Sequence, residues 1–399
     1  MTKIKERFRL HRIFDFLIPL ALVISIISGG YFFISFRNEK LRVESEKTKV
    51  QDELGKTVEQ LEIIQRDLND IKGQDQVKIN KDLSEEVRNI QDTYKNSVSA
   101  YENLLDLKSQ TNKTQDEDKL FSEILSLLSK KDYKKASEKI TELTKKISDE
   151  KIKLASVTIP QNVPVNNAPP GSGYSRQQIQ TDSGNFLVSL IAADIGSTKV
   201  IVDTASDSDC SNNCPVLPLA TYISRNGAYA GVNGSYFCPS TYPTCAGKTN
   251  SFDLLLMNKN KTYFNSANNV YSTNPGVIFG GSYVRFVTAV SQWGRDTGID
   301  GMISNFPLLV SNGNITFTGD SDSKQSSKGN RGFVANKGNN IYIGVVFNAA
   351  VAESAKVMKA MGIENALNLD DGGSTALWSG GYKVGPGRDL PNVILFVKK

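Results

Sequence analysis

The chain has 399 residues, with 47 basic against 42 acidic side chains and a net charge of +5 that is scattered rather than blocked. No basic stretch is interleaved with aromatics, which argues against a nucleic-acid surface. The one histidine is His11, so the rest of the chain has no imidazole for a Ser-His-Asp triad, a Cys-His pair or a His-ligated metal centre. Chemistry there must rest on carboxylates, arginines, amides and hydroxyls.

Residues 1–12 carry Lys3, Lys5, Arg7, Arg9 and Arg12, and are followed by an apolar segment, residues 13–36, in which the 21 residues from Phe16 to Phe36 hold no charge. That length crosses a bilayer core as a helix. The basic cluster outweighs Arg37, Lys40 and Arg42 on the far side, so the positive-inside rule predicts a cytoplasmic tail, a single-pass anchor in the cell membrane and an extracellular remainder. A cleaved signal is the weaker reading, because the apolar run is long and no A-x-A-like site follows it.

Residues 37–155 contain no proline and carry apolar residues at alternating spacings of three and four, which predicts helix. Val50, Leu54, Val58 and Leu61 make one stripe, Leu83, Val87, Ile90, Tyr94 and Tyr101 another, and a third runs from Leu120 to Leu154. A coiled-coil stalk pairing into a homodimer or oligomer, and a few helices folded into a short bundle, are equally open on this imperfect heptad pattern. Residues 156–174 hold Pro160, Pro164, Pro169, Pro170, Gly171 and Gly173, the composition of an extended, semi-rigid linker.

The remainder, residues 175–399, reads as an α+β domain with few helices and a mixed, mostly antiparallel sheet. Strands are expected at 186–195, 199–204, 276–280, 283–290 and 341–347, and a helix at about 349–361 with Asn348 as N-cap and Gly362 as stop. Cys210, Cys214, Cys238 and Cys245 lie within 36 residues. Their even number suits two disulfides in an oxidising compartment, with local pairing 210–214 and 238–245 preferred among three connectivities. A four-thiolate zinc site is the rival, disfavoured by spacings that are not the usual x2 pairs.

After the helix comes the run Asn368-Leu369-Asp370-Asp371-Gly372-Gly373-Ser374, a buried-looking strand ending in two carboxylates and a glycine pair that would let backbone approach a ligand. By itself it also suits an acidic turn. Asn233-Gly234 likewise suits a plain hairpin. Arg331 and Arg388 stand beside glycines, and Glu353 lies in the helix. Asp320-Ser321-Asp322 is a poor calcium loop, because Gln325 occupies the position where an EF-hand needs glycine. Neither metal nor cofactor is expected.

In this order, Asn233 to Phe237, Pro307-Leu308-Leu309-Val310 with Asn312-Gly313, Arg331, Glu353, Asn368 to Ser374, and Arg388 with Pro391-Asn392 resemble the phosphodiester glycosidase family over about residues 185–399. The resemblance implies hydrolysis at an anomeric carbon bearing a phosphodiester, with a carbohydrate or sugar-phosphate substrate. It implies Asp370 as base or electrostatic stabiliser, Arg331 and Arg388 as phosphate clamps, and Asn233 as a partner of sugar or phosphate. Glu353 would orient an arginine or act as second carboxylate, and Gly372, Gly373 and Ser374 would border the substrate. The chain departs from the family pattern at Ser235, Gly332 and Asp371, the last an extra substrate-binding carboxylate beside the site that would alter substrate choice and whose change to glycine should be tolerated. The alternative is a non-catalytic glycan-binding or scaffolding module of the cell envelope that kept this fold.

Overall fold

The computed structural model describes residues 3–73, 75–157, 163–269, 272–319 and 322–399. Asp320 and Ser321 of the acidic triplet, Ile159 and Pro160 of the linker, and the side chains of the basic cluster before residue 13 lie outside the described residues. The chain divides into two units, residues 1–88 and 89–399.

Helix α1 (Lys3–Gly73) holds the one stretch among the described residues that is long and apolar enough to cross a membrane. Its apolar side chains from Leu17 to Phe36 are exposed, as are Val50, Leu54, Val58 and Leu61. Helices α2 (Asp75–Lys108), α3 (Gln115–Ser129) and α4 (Tyr133–Val157) follow. From residue 89 onward they pack as a short bundle around Leu104, Leu107, Ile124, Leu128, Ile140 and Leu143. The third stripe is therefore two helices, broken at residues 130–132 without glycine or proline, where Lys131 takes a positive φ.

The strands of the globular part are β1 (Gly173–Thr181), β2 (Gly184–Asp194), β3 (Thr198–Thr204), β4 (Ala230–Asn233), β5 (Leu256–Met257) and β6 (Tyr263–Phe264). Next come β7 (Gly276–Phe279), β8 (Val284–Val287), β9 (Gly301–Ser304), β10 (Leu308–Ser311), β11 (Asn314–Ile315) and β12 (Gly329–Lys337). The last are β13 (Asn340–Ala349), β14 (Asn365–Asp371), β15 (Leu377–Ser379), β16 (Tyr382–Val384) and β17 (Asn392–Lys398). Helices α5 (Leu219–Asn226), α6 (Ser266–Asn269), α7 (Ser323–Ser326) and α8 (Val351–Ala360) complete the described α-helices.

Among the described residues three sheets form, ordered β1-β2-β13-β12-β14-β10-β11, β16-β15-β4-β17-β3 and β6-β5-β9-β7-β8. All of their pairings are antiparallel. Alternation on β13 explains how the first sheet is covered on both faces. Ile341, Ile343 and Val345 face the core shared with the other sheets, while Tyr342 and Val346 face the layer that includes Val351, Ala355 and Met358 of α8. Each such fully buried large side chain contributes about 1.5–3 kcal/mol.

The expected strands are present with no end shifted by more than three residues. The helix starts later than its pattern suggested, because β13 runs on through Asn348, whose φ is positive, and Ala350 is the N-cap. The linker docks as well. Asn166 N–H donates to the Gln178 carbonyl, and Gln178 N–H to that of Pro164, adding a short parallel bridge along β1.

Asn233-Gly234 is not a hairpin turn: Asn233 ends β4, and Gly234 runs against the start of β17. A Cβ on Gly234 would lie 1.9 Å from Asn392 Oδ1 and 2.7 Å from the Asn392 carbonyl oxygen. Gly234→Ala should therefore destabilise the domain by about 3 kcal/mol, the upper part of the overpacking range, seen as a lower thermal unfolding midpoint. An unchanged midpoint would mean that the contact relaxes freely.

Candidate active site

The site forms where β14 ends. Its ladder with β12 pairs Asn368 with Phe333 and then Asp371 with Arg331, so β14 advances three residues while β12 advances two. Such a bulge re-aims side chains. Asp370 and Asp371, adjacent residues that a regular strand would point to opposite faces, border one cavity of about 350 Å³.

Asp371 is the hub. Its Oδ2 accepts hydrogen bonds from Arg331 Nη1 at 2.7 Å, Tyr236 Oη at 2.8 Å and Asn368 Nδ2 at 3.4 Å. It is thus not an accessory carboxylate that a glycine could replace. Arg331 is buried, and all three of its nitrogens donate within the protein: Nε to the Ala349 carbonyl at 2.9 Å, Nη1 to Asp371, and Nη2 to the carbonyls of Lys324 and Ser327. In this geometry it holds Asp371 and has no open fork with which to clamp a phosphate.

Asn233 is fully buried, donating from Nδ2 to the Asp370 carbonyl at 2.8 Å and accepting the Ala376 N–H at 3.1 Å. It fixes the backbone beneath Asp370 and does not border the cavity. Glu353 also lies away from it. That side chain pairs with Lys328 and accepts the Ala350 N–H at 2.7 Å, capping α8 rather than orienting an arginine.

Arg388 and Gly372 border the cavity. The Arg388 guanidinium pairs with Asp106 of α2 and donates to Ser374 Oγ and Tyr242 Oη, each at 3.4 Å. Burial works against its charge, but Asp106 and Tyr242 outweigh that and hold its pKa above the ordinary value. Gly373 makes room: a Cβ there would lie 2.9 Å from Arg388 Cζ.

Asp370 Oδ1 accepts the Asp371 N–H at 2.8 Å. Its Oδ2, like Asp371 Oδ1, is buried without a hydrogen-bond partner among the described residues. Burial first, and then the charge of Asp371, push the Asp370 carboxyl up to about 8. Burial raises Asp371 too, but Arg331, Tyr236 and Asn368 oppose the rise. The pair therefore keeps one proton at neutral pH, held mainly on Asp370.

Several cavity residues carried no recognisable signal in the sequence. Tyr236 lies inside the Asn233–Phe237 element, yet its hydroxyl contact with Asp371 could not be read there. Phe306 packs on Tyr236 with ring centroids 5.1 Å apart. Tyr242, Lys324 and Lys328 complete the wall, together with Asp106 and Lys151 from the helices. The cysteines pair as 210–214 and 238–245, and the second bridge borders the cavity. Among the described residues no cluster of three or more His, Cys, Asp or Glu side chains could hold a metal ion.

An α+β domain with a paired-carboxylate cavity walled by cations and aromatics is the setting in which the family comparison falls. Residues 226–397 match the model of the phosphodiester glycosidase family. No curated protein matches the chain. Among solved structures, the chain is similar to the catalytic domain of zebrafish N-acetylglucosamine-1-phosphodiester alpha-N-acetylglucosaminidase, auto-inhibited by its pro-peptide. The identity is 14% and the TM-score 0.45, over 60% of this chain and 87% of that one. A hypothetical protein from Synechocystis is similar at 14% identity and TM-score 0.40 over 57% of this chain, which spans 62% of that protein's length.

The raised Asp370 pKa has a consequence for stability. Between about pH 4, where an unfolded aspartate loses its proton, and about pH 8, the folded state holds one proton more, so this group's contribution becomes less favourable as pH rises through that window. Asp370→Asn mimics the protonated form, so its melting temperature should gain on that of the wild type as pH increases from 5 to 9. A constant difference across that range would refute the raised pKa.

Proposed function

We propose that the domain hydrolyses the bond between a sugar's anomeric carbon and a phosphodiester, working outside the cytoplasm on a membrane anchor. The observation that carries this reading is the adjacent Asp370 and Asp371, each with a carboxylate oxygen that has no hydrogen-bond partner among the described residues, in a cavity that also holds Arg388, Tyr236, Phe306 and Tyr242. The aromatic faces suit a sugar ring, and Arg388 suits the phosphate.

Asp371, with its charge supported by Arg331 and Tyr236, stabilises positive charge developing at the anomeric carbon. Asp370 enters the reaction protonated and gives its proton to the departing oxygen as the anomeric carbon–oxygen bond breaks. A phosphate needs little protonation to leave, so the proton assists rather than drives the step. Ionised Asp370 then takes a proton from the water that attacks the anomeric carbon, which returns the pair to its starting state with free sugar and a phosphomonoester as products.

The full chain in detergent, offered a panel of sugar 1-phosphodiesters, should release free sugar. Asp370→Asn should lower turnover roughly a hundredfold or more without unfolding the domain. The wild-type rate should fall as pH rises through about 8, where Asp370 loses its proton. A rate that instead rises through the same pH would make Asp370 a base from the outset. Binding without release of sugar by the wild type would favour the glycan-binding module.

The anchor and the two disulfides support an extracellular domain. Protease added outside intact cells should remove that domain and leave a short protected fragment containing the apolar segment. Protection of the whole domain would reverse the orientation.

A further inference from the structure

We propose that Lys151, on α4, is a phosphate-binding residue of this site, so that the helical bundle supplies part of the substrate cavity. The inference rests on the glycosidase reading for the identity of the anion, and on three observations for the place.

The first is periodicity. Ile140, Leu143 and Ile147 are buried in the bundle core and Leu154 packs against it. Lys151 follows Ile147 by four residues and precedes Leu154 by three, so it stands on the inward face of α4, where an apolar side chain is the rule. A lysine so placed is costly unless its ammonium meets an anion or open space. It meets open space: the 350 Å³ cavity and a neighbouring one of about 560 Å³ are both bordered by Lys151, Gly372 and Arg388.

The second is the pairing of charge around the cavity. Arg331 faces Asp371, Arg388 faces Asp106, Lys324 faces Glu102 and Lys328 faces Glu353. Lys248 is exposed. Half-buried Lys151 has neither an ion pair nor a hydrogen bond to its ammonium among the described residues. Burial lowers its pKa, and Arg331 and Arg388 lower it further against the pull of Asp106. A monoanionic diester beside Lys151 and Arg388 would relieve that repulsion.

The third is that the bundle is held to the wall. Buried Glu102 of α2 accepts hydrogen bonds from Thr244 and, at 2.8 Å, from Lys324. With the Asp106–Arg388 pair, this seats α2 on the cavity rim and fixes α4 through the shared core. Lys151 lies outside both the matched segment, residues 226–397, and the span of the family resemblance, so this subsite belongs to this chain's own architecture.

The experiment is calorimetric titration of the full chain in detergent with a hexose 1-(methyl phosphate) diester, and in parallel with the methyl glycoside of the same hexose, which lacks phosphate. Lys151→Met should weaken binding of the diester roughly tenfold to a hundredfold, the range for loss of a charge-assisted hydrogen bond. It should leave the methyl glycoside unaffected and keep the wild-type melting temperature within a few degrees. Lys151→Arg should recover most of the loss. Equal affinity of wild type and Lys151→Met for the diester would overturn the proposal even if turnover persists, as would equal weakening for both ligands. If the wild type binds the diester through Lys151 but cleaves nothing, the subsite stands and the hydrolytic reading falls; if it neither binds nor cleaves it, both fall.

Discussion

The buried pair of Arg331 and Asp371 is the contact on which the rest of the site depends. Removing one member of such a pair costs about 3–5 kcal/mol, since it strands the other charge away from water. Here the pair does more than close a ladder. Through its other nitrogens Arg331 also gathers the carbonyls of Lys324, Ser327 and Ala349, so one guanidinium sets the positions of the α7 region, the end of β13 and the end of β14. Asp371, held this way, is in turn the charge that adds to burial in keeping the proton on Asp370.

The fold was legible where local periodicity carried the information. The apolar runs that became β2, β3 and β13 alternate or persist in the way that strands covered on both faces require, and the helix before β14 announced itself by spacing. The Asn-Gly element was legible as important but not as to why, since the reason is a close approach to Asn392, more than a hundred residues away. The same limit applies to Arg331, Asn233 and Glu353. Their residue types fit contact with an anionic sugar, yet their hydrogen bonds are made to backbone and to one another, and only the folded chain decides between those uses. Asp370, Gly372 and Arg388 do border the cavity, because a strand end with a glycine pair leaves little else for side chains at that edge to face.

The helical region shows a different limit. Its stripes establish helix, and an imperfect heptad does not say whether the partner is another copy or the next helix. The break at Lys131 has no glycine or proline to mark it, and the bundle core assembled from α2, α3 and α4 fixes it through contacts that no window of sequence contains. One irregularity was visible, a lysine inside the apolar stripe of α4, but its meaning depends on a cavity built by residues far along the chain.

The loop between Cys238 and Cys245 gives the site a dependence on its surroundings. This short segment carries Tyr242, which meets Arg388, and Thr244, which meets Glu102, and its ends are tied by the bridge. A chain still in a reducing compartment lacks that tie, so the loop samples more conformations and the rim it shares with α2 is looser. The rim of the cavity is therefore completed by a covalent step, the oxidation of Cys238 and Cys245, and not by packing alone.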